Sequence, residues 1–138
     1  GVGPISSEAQ QLLTATEVSL QKGIAAATLG HRVGDIGSAV DSYLSPKGYG
    51  VVRQLCGHGV GKAVHEPPEI PNYGRPKTGP LLTEGLVIAI EPMVTLGGWE
   101  VDTLDDGWTI VSSDGSLAAH FEHTVMITKK GPEIITVP

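Results

Sequence analysis

The chain lacks the features that would place it in several large classes of protein. It has one cysteine, Cys56, so an internal disulfide framework is excluded and a reducing compartment is favoured. Its longest clean apolar run, residues 86–90, falls far short of the roughly 20 residues that a membrane-spanning helix needs. No basic cluster is present and the net charge is −6, which argues against a nucleic-acid partner. We therefore expect a cytoplasmic protein with no membrane and no specific nucleic acid among its partners.

Length and composition predict one folded domain. A chain of 138 residues buries roughly 68–70% of the surface that its unfolded form exposes. Apolar residues make up 40% of the chain and charged residues 17%, which excludes a disordered acidic tail. The sequence starts at Gly1 without methionine or a signal sequence. We expect such a start for the inside of a longer protein or for a processed end.

Apolar spacing predicts helices first and strands later. Apolar residues recur at helical spacing over residues 8–29 and again over 34–46. Residues 66–80 contain five of the ten prolines and are predicted to form a long ordered loop. An extended segment begins at residues 51–52, and strand candidates lie at 86–94, 99–103, 107–112, 118–128 and 133–137. Two helices followed by antiparallel strands predict an α+β domain with its helices on one face of a sheet.

One segment rich in glycine contains a histidine that could bind a ligand. In Cys56-Gly57-His58-Gly59-Val60-Gly61, the glycines on both sides of His58 remove bulk. An ion or a substrate could therefore approach the imidazole closely. A glycine-rich turn with a surface histidine would show the same pattern, so this motif needs support from other segments.

Two further segments place carboxylates in strand candidates. Glu91 ends a nearly continuous apolar run, and because burial of an unpaired carboxylate is costly, it needs solvent, a cation or a metal. A solvated strand end would satisfy that need equally well. Strand alternation puts His120 and Glu122 on one face, with Phe121 and His123 on the face that belongs to the core. The polar face could also be the ordinary exposed side of a sheet.

The three segments together offer a mixed set of nitrogen and oxygen donors. One histidine and two glutamates suit Mn, Fe, Co or Zn, because these ions accept both imidazole and carboxylate. A calcium site lined by oxygen alone fits less well, and no cysteine pair is available for a structural zinc site. Cys56 lacks the sequence context of a papain-like nucleophile, and no Gly-x-Ser-x-Gly elbow is present.

The order and spacing of these segments resemble the pita-bread metallopeptidases. The histidine motif of that family is similar to Cys56–Gly61 followed by His65-Glu66-Pro67-Pro68. Its first glutamate motif is similar to 90–94, Ile-Glu-Pro-Met-Val, and its last to 121–124, Phe-Glu-His-Thr. Two segments, 71–73 (Pro-Asn-Tyr) and 106–109 (Asp-Gly-Trp-Thr), are similar to the type I methionine aminopeptidases in particular.

This resemblance implies a dinuclear metal site. His58, Glu91 and Glu122 would be metal ligands, and Glu122 would bridge two divalent ions, whether Co, Mn, Fe or Zn. Glu91 would also act as the base for the water that the two metals share. The implied activity is that of a metal-dependent aminopeptidase, which removes the N-terminal methionine from nascent proteins.

The resemblance also implies residues that bind the substrate. His65 would contact the scissile peptide and stabilise the tetrahedral intermediate. Cys56, Tyr73 and Trp108 would lie in or near the pocket that receives methionine. A non-catalytic pita-bread module that binds peptides or proteins is one alternative. An exopeptidase of the prolidase or aminopeptidase P type is the other, although those enzymes do not usually have the Glu-Pro-Met and Asp-Gly-Trp-Thr pair.

The likeness covers the C-terminal half of the family's catalytic domain. The family's site has five protein ligands, two of them aspartates from its N-terminal half, and no aspartate here has a matching context. We therefore expect residues 1–138 to form one α+β unit, half of a pita-bread fold with two helices on a curved antiparallel sheet. This unit would contain three of the five ligands. The expected partners are nascent peptides, the missing N-terminal half or a second chain, and the ribosome.

Overall fold

A computed structural model describes residues 1–137. Two helices come first, α1 (Ser7–Ala26) and α2 (Val33–Leu44), and a short 3-10 turn, Ser45–Lys47, follows them. The strands are β1 (Gly50–Val51), β2 (Gly57–Gly59), β3 (Glu66–Ile70), β4 (Val87–Ile90), β5 (Met93–Thr95), β6 (Val101–Thr103), β7 (Ile110–Ser112), β8 (Ala118–His120), β9 (His123–Thr128) and β10 (Gly131–Ile134). The predicted α+β class is therefore confirmed.

The strands form two antiparallel sheets and a separate hairpin. The larger sheet has the order β10-β9-β4-β2-β3, the smaller has the order β1-β5-β8, and β6 pairs with β7 alone. Side chains of α1 and α2 form one buried cluster with the larger sheet and a second with the smaller one. Each helix thus covers both sheets, and removal of this apolar surface from water is the main force that joins the layers.

The proline-rich segment 66–80 was predicted to be a loop throughout, but part of it is a strand. Its first part forms β3, Glu66–Ile70, which pairs with β2. The prediction was wrong because proline was taken as evidence against a strand. Pro67 and Pro68 have no backbone N–H to donate, but β3 lies at the edge of the larger sheet, where a strand can accommodate proline.

Two predicted strands are each split by a short break, and the breaks face each other. In the larger sheet Ile90 pairs with His123, and in the smaller sheet Met93 pairs with His120. Residues 91–92 on one strand therefore lie opposite residues 121–122 on the other; we call this pair of breaks the sheet switch. Pro92 cannot donate to a ladder, and its carbonyl accepts a hydrogen bond from the Phe121 N–H at 3.4 Å. At this point both segments pass from one sheet to the other: β4 and β9 belong to the larger sheet, and β5 and β8 belong to the smaller one.

The core side of β9 agrees with the predicted alternation. Val125 and Ile127 are fully buried, and Phe121 packs against the same cluster. His123 is half-buried, and its Nδ1 lies 2.9 Å from the Thr136 hydroxyl. This hydrogen bond gives one ring nitrogen of His123 a partner within the chain. Within residues 1–137, no helix is both long and apolar enough to cross a membrane.

An aspartate joins the turns at the base of the β6–β7 hairpin. Asp114 accepts hydrogen bonds from the backbone N–H of Gly98 at 2.8 Å and of Ser116 at 2.9 Å. Hydrogen bonds from Ser116 and Gly98 lower the pKa of Asp114 from 3.8 to about 2. A carboxyl group whose pKa is lowered by folding stabilises the fold above its unfolded pKa, and the effect is lost as the pH falls through the folded pKa.

We expect the Asp114→Asn variant to be less stable than the parent at neutral pH and to approach it in acid. The difference in the free energy of unfolding should be constant above about pH 5 and shrink between pH 3.8 and about 2. Urea denaturation over this pH range measures it. Asp105→Asn makes the same change of charge at an exposed position of the same hairpin. If the difference between Asp114→Asn and the parent does not change with pH, the two backbone contacts do not stabilise the carboxylate.

Candidate metal centre

Glu91 lies between two histidines at the sheet switch. Its Oε1 is 3.6 Å from Nε2 of His58, and its Oε2 is 3.2 Å from Nε2 of His120. Glu91, His120 and Glu122 each offer a ligand atom, and these three atoms lie within 4.8 Å of one another. We call these four residues, His58, Glu91, His120 and Glu122, the His–Glu cluster. The structure thus brings the three predicted metal ligands together from distant segments, although their roles stay a prediction.

The topology explains why the two glutamates meet. Glu91 and Glu122 occupy the two facing breaks of the sheet switch, between the pair Ile90–His123 and the pair Met93–His120. The backbone is held there by Asn72, which is fully buried and donates from Nδ2 to the Glu91 carbonyl at 3.0 Å. Sequence reasoning did not identify this role for Asn72. Its only signal was its place in the Pro-Asn-Tyr segment.

His58 presents one particular nitrogen to Glu91. Its strand, β2, lies between β3 and β4 in the larger sheet. Nδ1 of His58 is 2.9 Å from the Gly59 carbonyl oxygen, and because a carbonyl only accepts, Nδ1 must hold the proton of a neutral ring. Nε2 is then left with a lone pair that faces the Glu91 carboxylate at 3.6 Å. Two acceptors in this position repel each other, and a cation between them or a second proton on the ring would relieve the repulsion.

The chemistry of the cluster fits a divalent metal. The side chains of His58 and Glu91 are 15% and 13% exposed, so both can be reached from solvent. Two carboxylates and the lone pair of an imidazole repel one another unless positive charge is present. Imidazole nitrogen combined with carboxylate oxygen is the donor set that Mn, Fe, Co and Zn accept. The residues present therefore suit the class of ion predicted from the sequence.

His120 is the member of the cluster that the sequence analysis did not assign. Its side chain is 47% exposed. A hydrogen bond to Glu91 raises the pKa of His120, and partial burial opposes this shift. The sequence did contain a signal, because strand alternation placed His120 on the same polar face as Glu122. Glu91, the residue that His120 contacts, is remote in sequence, so the contact itself could not be predicted.

His65 and Cys56 lie close to the cluster in different ways. The ring of His65 is exposed, and its centroid is 4.1 Å from that of His58. Cys56 is half-buried, and burial raises the pKa of its thiol, with the nearby Glu69 adding to the shift. A raised pKa keeps the thiol protonated and unreactive. This agrees with the exclusion of a cysteine nucleophile.

Tyr73 contacts Arg53 and Trp108 contacts Asp106, neither of which belongs to the cluster. The Arg53 guanidinium lies 5.4 Å from the centre of the Tyr73 ring. Trp108 is 87% exposed, and its backbone N–H donates to Asp106 Oδ1 at 2.9 Å. Their place in a methionine pocket stays a prediction.

An apolar cavity of about 260 Å³ opens beside the cluster. It reaches from Met93 and His120 to Ile110 and Val111, which belong to the hairpin that also holds Trp108. The walls thus come from both the smaller sheet and the β6–β7 hairpin. An apolar side chain placed in this cavity would lie next to the His–Glu cluster.

Two helices on antiparallel sheets, with an imidazole–carboxylate cluster at the sheet switch, define the pita-bread class of metallopeptidases. The chain belongs to Metallopeptidase family M24, whose model matches residues 1–129. It is 53% identical over 137 residues to the methionine aminopeptidase of Clostridium perfringens, covering 99% of this chain and 55% of that protein.

Solved structures support the same family. The methionine aminopeptidase of Thermotoga maritima matches with a TM-score of 0.96 and 44% identity, over 99% of this chain and 55% of that one. The prolidase of Pyrococcus furiosus is less similar, with a TM-score of 0.76 and 25% identity over 99% of this chain and 35% of that one. The chain spans about half the length of the methionine aminopeptidases that it matches.

Proposed function

We propose that this chain provides metal ligands and catalytic residues of a methionine aminopeptidase that removes the N-terminal methionine from nascent proteins. The observation that supports it most is the convergence of His58, Glu91 and Glu122 at the sheet switch. Glu91 and Glu122 occupy the two facing breaks of the sheet switch, so carboxylates and not apolar side chains meet there. The names of the relatives give the substrate class.

His58, Glu91 and Glu122 would hold two divalent cations, of Co, Mn, Fe or Zn. Such cations supply Lewis acidity to a carbonyl and a nucleophile at neutral pH. Within the chain, Glu91 would accept a proton from the attacking water. Its carboxylate is partly open to solvent and is oriented by the contact of Oε2 with His120, as a general base requires.

His65 and the apolar cavity would bind the substrate. An exposed imidazole next to His58 can donate a hydrogen bond to the oxygen of the scissile carbonyl as charge develops on it. Cys56, Tyr73 and Trp108 would border the place where the methionine side chain binds. The cavity beside Met93 and Val111 favours an apolar side chain, because its burial there removes apolar surface from water.

Residues 1–138 would act as one α+β unit of a larger site. The family's remaining ligands would come from residues outside this sequence, on a preceding segment or a second chain. Three ligands leave much of a dinuclear site open, so a second contributor would complete it. Nascent chains that emerge from the ribosome in the cytoplasm would be the substrates.

The two alternatives have less support. A non-catalytic binding module would not need His58, Glu91, Glu122 and His65 together, and all four are present. A prolidase-type exopeptidase is disfavoured because the prolidase match is weaker in both fold and identity than the methionine aminopeptidase match. Substrate preference separates these possibilities directly.

A comparison of two peptides tests the proposed function. We expect the protein as the cell makes it to release methionine from a Met-Ala peptide and to leave an Ala-Pro peptide largely intact. A chelator should abolish the release, and added Mn or Co should restore it, because the cluster needs cations to hold its carboxylates together. Release that survives full removal of metal, faster cleavage of Ala-Pro, or no cleavage with Mn, Fe, Co or Zn would each overturn the proposal.

A further inference from the structure

The two oxygens of the Glu91 carboxylate have different neighbours. Oε1 faces His58 at 3.6 Å, a separation too long for a hydrogen bond. Oε2 faces His120 at 3.2 Å, which is the upper limit of an ordinary N–H···O bond. One oxygen is therefore directed toward the ligand His58, and the other is occupied by a different imidazole.

The proton positions differ in the same way. A carboxylate only accepts, so the Nε2 of His120 must hold the proton that it shares with Oε2. That nitrogen then has no lone pair for a cation. In His58 the Nδ1–H donates to the Gly59 carbonyl oxygen, with Nδ1 and the oxygen 2.9 Å apart, and Nε2 has its lone pair free. The geometry assigns His58 as a ligand and His120 as a donor to a ligand.

His120 is fixed relative to Glu91 by the backbone. It is the last residue of β8 and pairs with Met93, two residues beyond Glu91, in the smaller sheet. The Glu91 carbonyl is held by Asn72. Because both the backbone of Glu91 and the strand that holds His120 are fixed, the hydrogen bond to Oε2 restricts rotation of the carboxylate about its last side-chain bond.

We propose that His120 is a positioning residue, which donates a hydrogen bond to Glu91 Oε2 and thereby keeps Oε1 directed at the cation site beside His58. The inference rests on the proposed function in that Glu91 must be a metal ligand. Partners that orient a ligand in this way typically contribute 10–100-fold to metal affinity or activity. In a hydrogen bond from an imidazole N–H to a carboxylate, the charge on the acceptor strengthens the interaction.

Two substitutions at one position separate positioning from direct metal binding. In His120→Gln, the amide nitrogen is the same number of bonds from Cα as Nε2 of histidine, so a donor remains. In His120→Ala the donor is lost. We expect His120→Ala to lower Co(II) affinity about 10–100-fold and to change the visible absorption of the bound Co(II). His120→Gln should recover most of the affinity and the parental spectrum.

The measurement is a Co(II) titration of the protein as the cell makes it, followed by visible absorption, with kcat and KM for a Met-Ala peptide measured in parallel. His31→Ala is the control, since this exposed histidine binds the Ala26 carbonyl at 3.0 Å, far along the chain from the cluster. We expect the His120→Ala variant to lose kcat with little change in KM. Thermal unfolding of each variant checks that the substitution has not disrupted the fold.

Two results would overturn the proposal. If His120→Gln loses as much Co(II) affinity as His120→Ala, the imidazole is itself a ligand. If His120→Ala binds Co(II) like the parent and its spectrum is unchanged, the hydrogen bond positions nothing. The spectrum and the affinity do not depend on the substrate. A parent protein that binds Co(II) but does not cleave Met-Ala would therefore refute the proposed function and leave the test of His120 intact.

Discussion

Replacing Glu91 with glutamine should lower kcat for a Met-Ala peptide by about 10²–10⁴-fold, the range typical of the loss of a general acid or base. The substitution preserves the shape of the side chain. It also leaves the backbone carbonyl available to Asn72. What is lost is the negative charge between His58 and His120, and with it both the proton acceptor and one ligand.

The stability of the same variant should not fall. Glu91 and Glu122 offer ligand atoms within 4.8 Å of each other, and like charges this close destabilise a fold without bound cations. We therefore expect the metal-free Glu91→Gln protein to unfold at the same temperature as the parent or above it. A site that lowers stability in return for activity is common in enzymes.

Glu84→Gln is the matched control for this experiment. Glu84 forms an exposed ion pair with Lys129 at 3.3 Å, so the same chemical change occurs away from the cluster. Surface pairs of this kind contribute little, and kcat should stay within about 2-fold of the parent. Peptide assays with metal content measured on the same samples give the result. A Glu91→Gln enzyme with parental kcat would mean that the base is a different residue.

The helices and the core could be predicted from the sequence because both depend on local periodicity. α1 ends at Ala26 instead of residue 29, since the N–H of Ala27 turns back to the Ile24 carbonyl at 2.9 Å. The sheet switch could not be predicted. Pro92 by itself is compatible with a continuous strand at the edge of a sheet. The break brings two glutamates together only because residues 121–122 lie opposite it. That pairing is a property of the fold.

The candidate site shows the same division. His58 and Glu91 could be singled out because each disturbs a local pattern, as a histidine between glycines and a carboxylate that ends an apolar run. Glu122 was singled out together with them, from the polar face of its strand. His120 and Asn72 were missed because each acts on Glu91 through space, and the sequence does not show which strands are neighbours. Contacts made to another residue's backbone, as Asn72 makes to the Glu91 carbonyl, leave even less trace in composition.

The structure explains why a glycine follows His58. A Cβ on Gly59 would lie 2.2 Å from the Pro67 carbonyl oxygen and 2.7 Å from that of Glu66. Both obstacles are backbone atoms of the neighbouring strand β3, which cannot move without opening the sheet. Close approach of two strands, and not an unusual backbone angle, is therefore what requires glycine here. The register shift between His58 and Gly59 is at the same point.

Gly59→Ala should consequently destabilise the protein by about 1–3 kcal/mol or more, the usual cost of overpacking a well-packed region. Because Gly59 pairs with Ile88 of β4 as well as with Glu66 of β3, relief of the clash must move β2 away from one of its neighbours. His58 moves with it, so Co(II) affinity should fall in the fraction that still folds. Urea denaturation and Co(II) titration measure the two effects.

Gly61→Ala is the matched control, because it replaces a neighbouring glycine without a clash against the β3 backbone. A Cβ on Gly61 would also meet an atom at 2.2 Å, but that atom is Oε1 of Glu66, the far end of a flexible side chain that can rotate away. We expect this variant to keep stability within about 0.5 kcal/mol of the parent, as for surface substitutions in general, and to bind Co(II) normally. Equal losses in the two variants would show that the cost does not come from the clash with the β3 backbone, because Gly→Ala by itself lowers the entropy of the unfolded chain and favours the fold. Close packing of β2 against β3 would then not be the reason that His58 is flanked by glycine.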